Sequence, residues 1–165
     1  MVEIKAPNNL EIVGTTIFLA GSIEMGTAKN WQESVVKRFE THLITFFNPL
    51  RDEWDSSWKQ EQKETKFNEQ VNWEMNNLED CDIIFMYFDP GTKSPISLLE
   101  LGLHASSGKM IVVCPDGFWR KGNVEIVCTR FNIPLFNTLE DGIGSLESKI
   151  RHSRLIGHNK RDYSF

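Results

Sequence analysis

The chain has 165 residues, 40% of them hydrophobic, and carries 18 Lys and Arg against 23 Asp and Glu, for a formal net charge of -5. This length suits one domain with a real core, and the negative balance argues against a nucleic-acid-binding surface. No apolar run approaches the ~18 residues of a membrane span, and the first residues lack the charged-then-apolar pattern of a signal peptide.

The spacing of the cysteines and histidines bears on disulfide bonds and metal binding. Cys81, Cys114 and Cys128 are widely spaced, which favours buried, reduced thiols in a cytoplasmic protein. The four histidines show no ligand spacing with one another or with the cysteines, so we expect no metal. Four basic residues after position 150 are more typical of a solvated end than of a binding patch.

The first half of the chain alternates apolar runs with helical patterns. Residues 15–20 (TTIFLA) predict a strand, the AGSIEMG loop follows, and apolar residues at a spacing of four predict a helix over about 27–42. A second strand, 44–47, ends at an Asn-Pro pair. Residues 49–65 show no clear period, and long loops of this kind often bind ligands or act as lids.

The second half continues the alternation. A helix is expected over about 66–79, and the continuous apolar run 82–88 (DIIFMYF) predicts a strand buried on both faces. A DPGTKSP loop leads to a further helix, which Ser94 can cap, Pro95 can begin and Gly108 can end. The remaining predicted elements are a strand at 110–114, a helix at about 123–130, a short strand at 133–136 and a last helix at about 139–152.

This order of elements predicts a single α/β domain over residues 1–165, with 1–14 and 153–165 as tails. Right-handed crossovers place helices on both faces of a parallel sheet of about five strands, which is a three-layer, flavodoxin/Rossmann-like sandwich. In such sheets ligands bind beyond the carboxyl ends of the strands. Functional residues are therefore expected in the loops at that edge.

Glu100 is an acid inside an otherwise apolar run, LLELGL. At about 100° per residue, Ile96, Leu99 and Leu103 form one stripe, and apolar residues cover the opposite side as well. We therefore expect a helix that is buried on most faces, with Glu100 near its second turn. That position is close to the strand-end edge, where a cleft could admit a substrate.

The preceding helix also carries an acid among apolar residues. Phe67, Val71, Met75 and Leu78 are expected to form its inward stripe, and Glu74 projects into the middle of that stripe. A buried, unpaired carboxylate is costly and tends to have a raised pKa. Two such acids on the helices that flank the third predicted strand can converge on one pocket.

Two acids in one pocket suggest a specific chemistry. One carboxylate as nucleophile and one carboxylic acid as proton donor cleave glycosidic bonds with retention. The nucleophile carries the sugar as an ester, so no cofactor is needed. Each acid could instead have a structural partner such as Arg51, Lys109 or a backbone N–H, but two on one edge favour a site.

The loops suit a small polar ligand. The Gly21-Ser22 turn lies between a strand and a helix, where free N–H groups can hold hydroxyl or anionic oxygens. Trp54, Trp58 and Phe47 could stack on a planar base, or could simply pack the long loop onto the domain. Asp89 precedes Pro90-Gly91, which also fits ordinary turn chemistry.

Several short motifs stand in order over about residues 16–139: IFLAGSI, NP, WE, D-x-I-I, S-x5-E-L-G and GN. Together they resemble the nucleoside 2-deoxyribosyltransferase family, including its branch of 2′-deoxynucleoside 5′-monophosphate N-glycosidases. The LELG motif with its upstream serine is the most specific of them. The resemblance implies that Glu100 is the catalytic nucleophile and that Glu74 binds and helps to protonate the base.

The resemblance also implies a set of substrate contacts. Ser94 occupies a position where transferases carry a base-contacting Asp and the monophosphate hydrolases carry a phosphate-binding Ser, and the Gly-Ser-Ile loop is shared with those hydrolases. In this chain Phe18 stands where the family has Tyr, and Glu24 stands where the hydrolases have a basic residue. The expected substrate-binding residues are Phe18, Gly21, Ser22, Ile23, Asn48, Asp89, Ser94 and Asn123.

Family members complete their active sites across a subunit interface, and Asn123 in RKGNVEIV resembles the asparagine that reaches the neighbour's sugar. A homodimer or higher homo-oligomer is therefore expected, with a nucleoside or nucleotide as the small-molecule partner and neither nucleic acid nor membrane. The leading hypothesis is cleavage of the N-glycosidic bond of a 2′-deoxynucleoside or its 5′-monophosphate, with transfer of the sugar to another base or to water. Two alternatives remain open: a non-catalytic nucleotide-sensing module, and a hydrolase of another ribosyl compound.

Overall fold

The computed structural model describes residues 1–23, 30–52, 55 and 57–159, with side chains described as far as residue 152. Strands and helices alternate along the chain as the apolar pattern predicts. The elements are β1 Val2–Lys5, β2 Thr15–Gly21, α1 Trp31–Arg38, β3 Ile44–Asn48, α2 Thr65–Asp80, β4 Ile83–Tyr87, α3 Pro95–His104, β5 Met110–Val113, α4 Lys121–Phe131, β6 Leu135–Phe136 and α5 Leu139–Asn159.

The described strands form one parallel sheet in the order β1-β3-β2-β4-β5-β6. From β2 the chain crosses to β3 on one side, and it then returns past β2 to β4 on the other. The strand order therefore reverses between β2 and β4. In open α/β sheets this reversal leaves a crevice beyond the carboxyl ends of the two strands, where ligands bind.

Two apolar cores lie on opposite faces of the sheet, because successive side chains of a strand point to opposite sides. In β2, Phe18 and Ala20 join the core that is covered by α2, α3 and α4. Ile17 and Leu19 join the other core, which α1 and α5 cover. The result is the three-layer α/β sandwich that the sequence predicts.

The sheet has six strands rather than about five. The additional strand, β1, falls within residues 1–14, which the sequence analysis assigned to a tail, and it pairs with β3 from Val2↔Thr45 to Lys5↔Asn48. A four-residue strand has too few apolar positions to show alternation. Helix α5 continues to Asn159, within the segment 153–165 that was expected to be a tail.

Helix α3 is less buried than its composition suggests. Ile96, Leu99 and Leu103 are about 60% exposed, at 61%, 59% and 60%. The core side of α3 is formed by Ser97 and Leu101 instead. The expectation of a helix buried on most faces is therefore wrong, since hydrophobicity alone does not tell which apolar face meets the core.

Helix α2 is rotated relative to the expected stripe. Its buried residues are Gln70, Trp73 and Leu78, whereas Met75 is exposed. Only Leu78 belongs both to the expected inward stripe and to the buried residues observed. The expected stripe is therefore mostly wrong. The apolar residues that the pattern assigned to the core line a cleft instead, as described below.

Helix α1 is shorter than the expected 27–42. It begins at Trp31, where the Asn30 side chain accepts a hydrogen bond from the backbone N–H of Glu33. Residues 27–29 lie outside the described part of the chain. Within the described residues, no helix has the length and apolar character needed to cross a bilayer.

Candidate active site

The carboxyl ends of β2 and β4 meet at the point where the strand order reverses. Ser22 N–H donates to the carbonyl of Tyr87 at 2.9 Å, which ties the residue after β2 to the end of β4. Gly21 has φ +134°, and a Cβ there would collide with the Tyr87 backbone. The glycine is therefore required for the two strand ends to approach this closely.

Three buried hydroxyls lie directly beyond these strand ends. The side-chain oxygen of Ser22 lies 2.8 Å from that of Thr92 and 2.6 Å from that of Ser94, and the Thr92 and Ser94 oxygens are 2.8 Å apart. Thr92 also donates to the carbonyl of Asp89 at 2.9 Å. These four contacts share three hydroxyl protons, so in any one arrangement at least one contact lacks its proton.

Ser94 occupies the cap position of α3 as predicted, but its side chain makes no capping hydrogen bond to the helix. Its hydroxyl joins the cluster with Ser22 and Thr92 instead. The residue has φ 46° and ψ 53°, a left-handed conformation that is unfavourable for any residue with a Cβ. Such conformations persist where the surrounding structure enforces them, and they occur often at functional sites.

A cleft of about 780 Å³ opens beside this cluster. Its floor is the end of β2, including Phe18 and Gly21, and its sides are α2, α3 and the segment that follows β3. The volume falls within the range typical of small-molecule sites. The apolar residues of its walls are those that the sequence pattern assigned to helix cores: Phe67, Val71, Met75, Ile96, Leu99 and Leu103.

Glu100 and Glu74 both line this cleft, from α3 and α2 respectively. Burial, followed by repulsion from Glu74, raises the pKa of Glu100 to about 8. None of the described residues donates a hydrogen bond to the Glu100 carboxylate, and neither Arg51 nor Lys109 pairs with it. The structural partner considered for Glu100 is therefore not found among the described residues.

Glu74 has one polar partner. The amide nitrogen Nε2 of Gln70 donates to Glu74 Oε1 at 2.8 Å. Burial raises the pKa of Glu74, and the hydrogen bond from Gln70 opposes that rise. The two acids thus share one partly dry cleft, in which the first proton to leave belongs to the pair rather than to either residue alone.

The long segment after β3 forms one wall of the cleft. The Arg51 guanidinium lies 5.0 Å from the ring centroid of Trp58, and Lys66 Nζ lies 5.1 Å from the same centroid. Arg51 also pairs with Glu69 at 3.1 Å. Two cations therefore lie against the Trp58 ring, which favours the interpretation that it packs the segment onto the domain.

The other aromatic residues considered for base stacking lie partly in the core and partly in the cleft. Phe47 is buried and meets Trp73 edge-on, with ring centroids 6.2 Å apart, so it belongs to the core rather than to the cleft wall. Trp54 lies outside the described residues, as does Glu24. Phe18 lines the floor of the cleft, and it has no hydroxyl with which to orient a nucleophile.

The structure brings six of the ten expected site residues together. Glu74, Glu100 and Ser94 line the cleft with Phe18, Gly21 and Ile23. Ser22 lies behind Ser94 as its hydrogen-bond partner.

The other three expected residues lie away from the cleft wall. Asn48 bridges Glu3 at 2.7 Å and the N–H of Leu50 at 3.0 Å, so it holds the turn after β3. The Asp89 side chain accepts from Gly91 N–H at 2.8 Å, which is the turn chemistry considered from the sequence. Asn123 is exposed on α4, and its role towards a neighbouring subunit stays a prediction.

Gln70 and Thr92 are polar residues of the site that the apolar pattern does not single out. Gln70 lies four residues before Glu74, one helical turn away, and the same-face rule could have indicated it. Thr92 lies two residues before Ser94 in a loop, where threonine is common for many reasons. Nothing in the sequence shows that its hydroxyl is buried.

Comparisons with known proteins identify the family of this chain. A family model described as nucleoside 2-deoxyribosyltransferase like matches residues 14–118. The match includes the strand ends, the hydroxyl cluster and both acids, and the chain belongs to this family. Asn123 falls after the matched region.

A solved structure with a similar fold is the crystal structure of a conserved protein from Enterococcus faecalis V583, with a TM-score of 0.60. It shares 13% sequence identity, and the alignment covers 82% of this chain and 98% of that chain. At this identity the likeness shows the fold alone. No curated protein sequence matches the chain significantly.

Proposed function

We propose that this protein cleaves the N-glycosidic bond of 2′-deoxynucleosides through a covalent deoxyribosyl ester on Glu100. The observation that carries the proposal is the pair of partly buried carboxyl groups, both with a raised pKa, in one cleft at the strand-end edge of the sheet. Two such carboxyl groups in the core would destabilise the folded protein. A site that must both attack a sugar and protonate a base needs such a pair.

The reaction has two steps that differ in the direction of the proton. In the first, a carboxylate oxygen of Glu100 bonds to C1′, the C1′–N bond breaks, its electron pair stays with the base, and Glu74 delivers a proton to that base. In the second, an acceptor base or water attacks C1′, loses its proton to Glu74, and releases Glu100. Glu74 thus acts as acid and then as base.

The protonation states demand a specific active form. Glu100 must be ionised to attack, although its pKa is about 8, and Glu74 must hold a proton to donate. Both conditions are met in the singly protonated pair when the proton resides on Glu74. Burial raises both pKa values, so the pair keeps a proton to higher pH than two solvated carboxyl groups would.

The charge of the cleft favours a neutral nucleoside over its 5′-monophosphate. The described lining includes the acids Asp52, Glu74, Glu79 and Glu100. Its arginine, Arg51, is already paired with Glu69. A dianionic phosphate would enter a negative potential, whereas the hydroxyl of Ser94 can bind a sugar hydroxyl without that cost.

The exposed apolar face of α3 supports a homodimer. Ile96, Leu99 and Leu103 are each about 60% exposed, at 61%, 59% and 60%, on the same helix as Glu100. A second copy on this face would remove apolar surface from water and would exclude water from the cleft. Asn123 of that copy is the proposed sugar contact. The buried free thiols fit the expected cytoplasmic location.

Turnover distinguishes the candidate activities. Purified protein is incubated with the four deoxynucleosides, or with their 5′-monophosphates, with and without a free acceptor base, and the products are separated by chromatography. New nucleoside only in the presence of acceptor identifies a transferase, and free base without acceptor identifies a hydrolase. The Glu100→Gln variant should be inactive while still binding substrate.

Two outcomes would contradict the proposal. Absence of turnover on every deoxy substrate, with tight nucleotide binding, would favour the sensing module. Release of base from ribosyl compounds but not from deoxyribosyl compounds would favour the other hydrolase. A preference for monophosphates would overturn the charge argument while leaving the roles of Glu100 and Glu74 intact.

A further inference from the structure

Gln70 is a buried polar residue in the cleft wall with an unusual set of contacts. It is 4% exposed, and its amide nitrogen Nε2 donates both to the carbonyl of Pro49 at 2.9 Å and to Glu74 Oε1 at 2.8 Å. Its oxygen Oε1 is also buried, and it has no hydrogen-bond partner among the described residues.

The Pro49 contact fixes the orientation of this amide. A backbone carbonyl can only accept a hydrogen bond, so the nitrogen of Gln70 must face Pro49. If the amide were turned over, two oxygens would face each other there and again at an ionised Glu74. The buried orphan acceptor is the consequence of the orientation observed, and leaving a buried acceptor unpaired is unfavourable.

We infer that Gln70 is a positioning residue that determines which oxygen of Glu74 carries the proton delivered to the departing base, an inference that rests on the proposed function. Because Oε1 of Glu74 accepts from Gln70, a protonated Glu74 bears its hydrogen on Oε2. That oxygen is therefore the donor in the first step and the acceptor of the proton in the second. An apolar residue at position 70 would avoid the orphan oxygen, but it would leave the Pro49 carbonyl and Glu74 Oε1 without this donor.

The test compares two leaving groups. Hypoxanthine must be protonated as it leaves 2′-deoxyinosine, whereas the base of 7-methyl-2′-deoxyguanosine is already cationic and leaves neutral without a proton. Gln70→Met removes the amide at similar size. It should lower the single-turnover rate of base release from 2′-deoxyinosine by roughly 10- to 100-fold, a part of what general acid catalysis supplies. The same rate on the methylated substrate should change by less than about 3-fold, because base release precedes the second step that both substrates share.

A second variant and a matched control keep the result interpretable. Gln70→Glu keeps the size and polarity but loses the fixed donor, so it should show the same selective loss even if the Met variant folds poorly. Asn77→Leu is the control, because the Asn77 amide donates to the carbonyl of Trp73 on the same helix at 2.7 Å and lies outside the cleft wall. It should leave both rates unchanged.

Equal losses on both substrates in the two Gln70 variants would overturn the inference, since a merely structural role would affect both reactions alike. Unchanged rates on both would overturn it as well. Failure of the proposed function gives a different result: the wild-type protein would release no base from either substrate above the spontaneous rate.

Discussion

Replacement of Glu100 by Gln should change how stability depends on pH. Burial, and then repulsion from Glu74, raises the pKa of Glu100 to about 8 from an ordinary value of 4.5. A group whose pKa is raised on folding contributes stability that is fully present below the unfolded value. That contribution is lost as the pH rises from about 4.5 towards 8.

The size of the effect follows from the two pKa values. They differ by about 3.5, and each pKa unit corresponds to about 1.36 kcal/mol, so the full effect is about 5 kcal/mol. Of this loss in free energy of unfolding, about 3 kcal/mol occurs between about pH 5 and pH 7.5. The E100Q variant has no carboxyl group to ionise there. Its advantage in free energy of unfolding over the wild type should therefore grow by about 3 kcal/mol over that interval.

Urea unfolding followed by tryptophan fluorescence measures this difference directly. The two proteins are compared at about pH 5, 6 and 7.5, with the exposed Glu125→Gln on α4 as a control that should show no such growth. A stability difference between E100Q and wild type that stays constant within about 0.5 kcal/mol would refute the reasoning, because Glu100 would then titrate as a solvated carboxylate.

Three further predictions concern packing, backbone strain and assembly. Gly142→Ala should cost about 1–3 kcal/mol in thermal denaturation, because its Cβ would collide with β5. Gly144→Ala meets nothing within 4 Å and should gain up to about 1 kcal/mol; equal effects would contradict the packing of α5. Ser94→Gly should be about 1 kcal/mol more stable than Ser94→Ala, because φ is 46° at this residue; urea unfolding would contradict this if Ala were equally stable. Leu99→Glu should convert the proposed homodimer to a monomer in sedimentation velocity, whereas the exposed Ile126→Glu on α4 should not; a dimer in both would exclude this face.

Strands β2 to β5 could be predicted from the sequence, because each is a continuous apolar run between turn residues. β1 could not, since VEIK is four residues long and its place depends on pairing with β3. Burial on α3 was expected on the wrong face for a related reason. Its apolar residues surround the helix, and only tertiary packing decides that Leu101 faces inward while Leu99 does not.

The two acids could be predicted because a carboxylate in an apolar helix is conspicuous in a sequence. Glu100 and Glu74 are each placed in the cleft. Gln70 lies one helical turn from Glu74, so the helical pattern could have indicated it. Thr92 and the contacts within the Ser22–Thr92–Ser94 cluster could not be predicted, because polar residues in loops are common. Their roles depend on which loops the fold brings together. The turn at Asp89 was considered from the sequence and is found, whereas the contact of Asn48 with Glu3 depends on the pairing of β1 with β3.

The central claim is that Glu100 carries the deoxyribose as an ester, and mass spectrometry of the intact protein tests it most directly. A 2′-fluorinated deoxynucleoside should slow the second step, because fluorine beside C1′ disfavours the positive charge that develops there. The wild-type protein should then gain one fluorodeoxypentosyl group, located by peptide mapping on Glu100, and E100Q should gain none. Release of base from natural deoxynucleosides without any adduct, or with an adduct on another residue, would contradict the account.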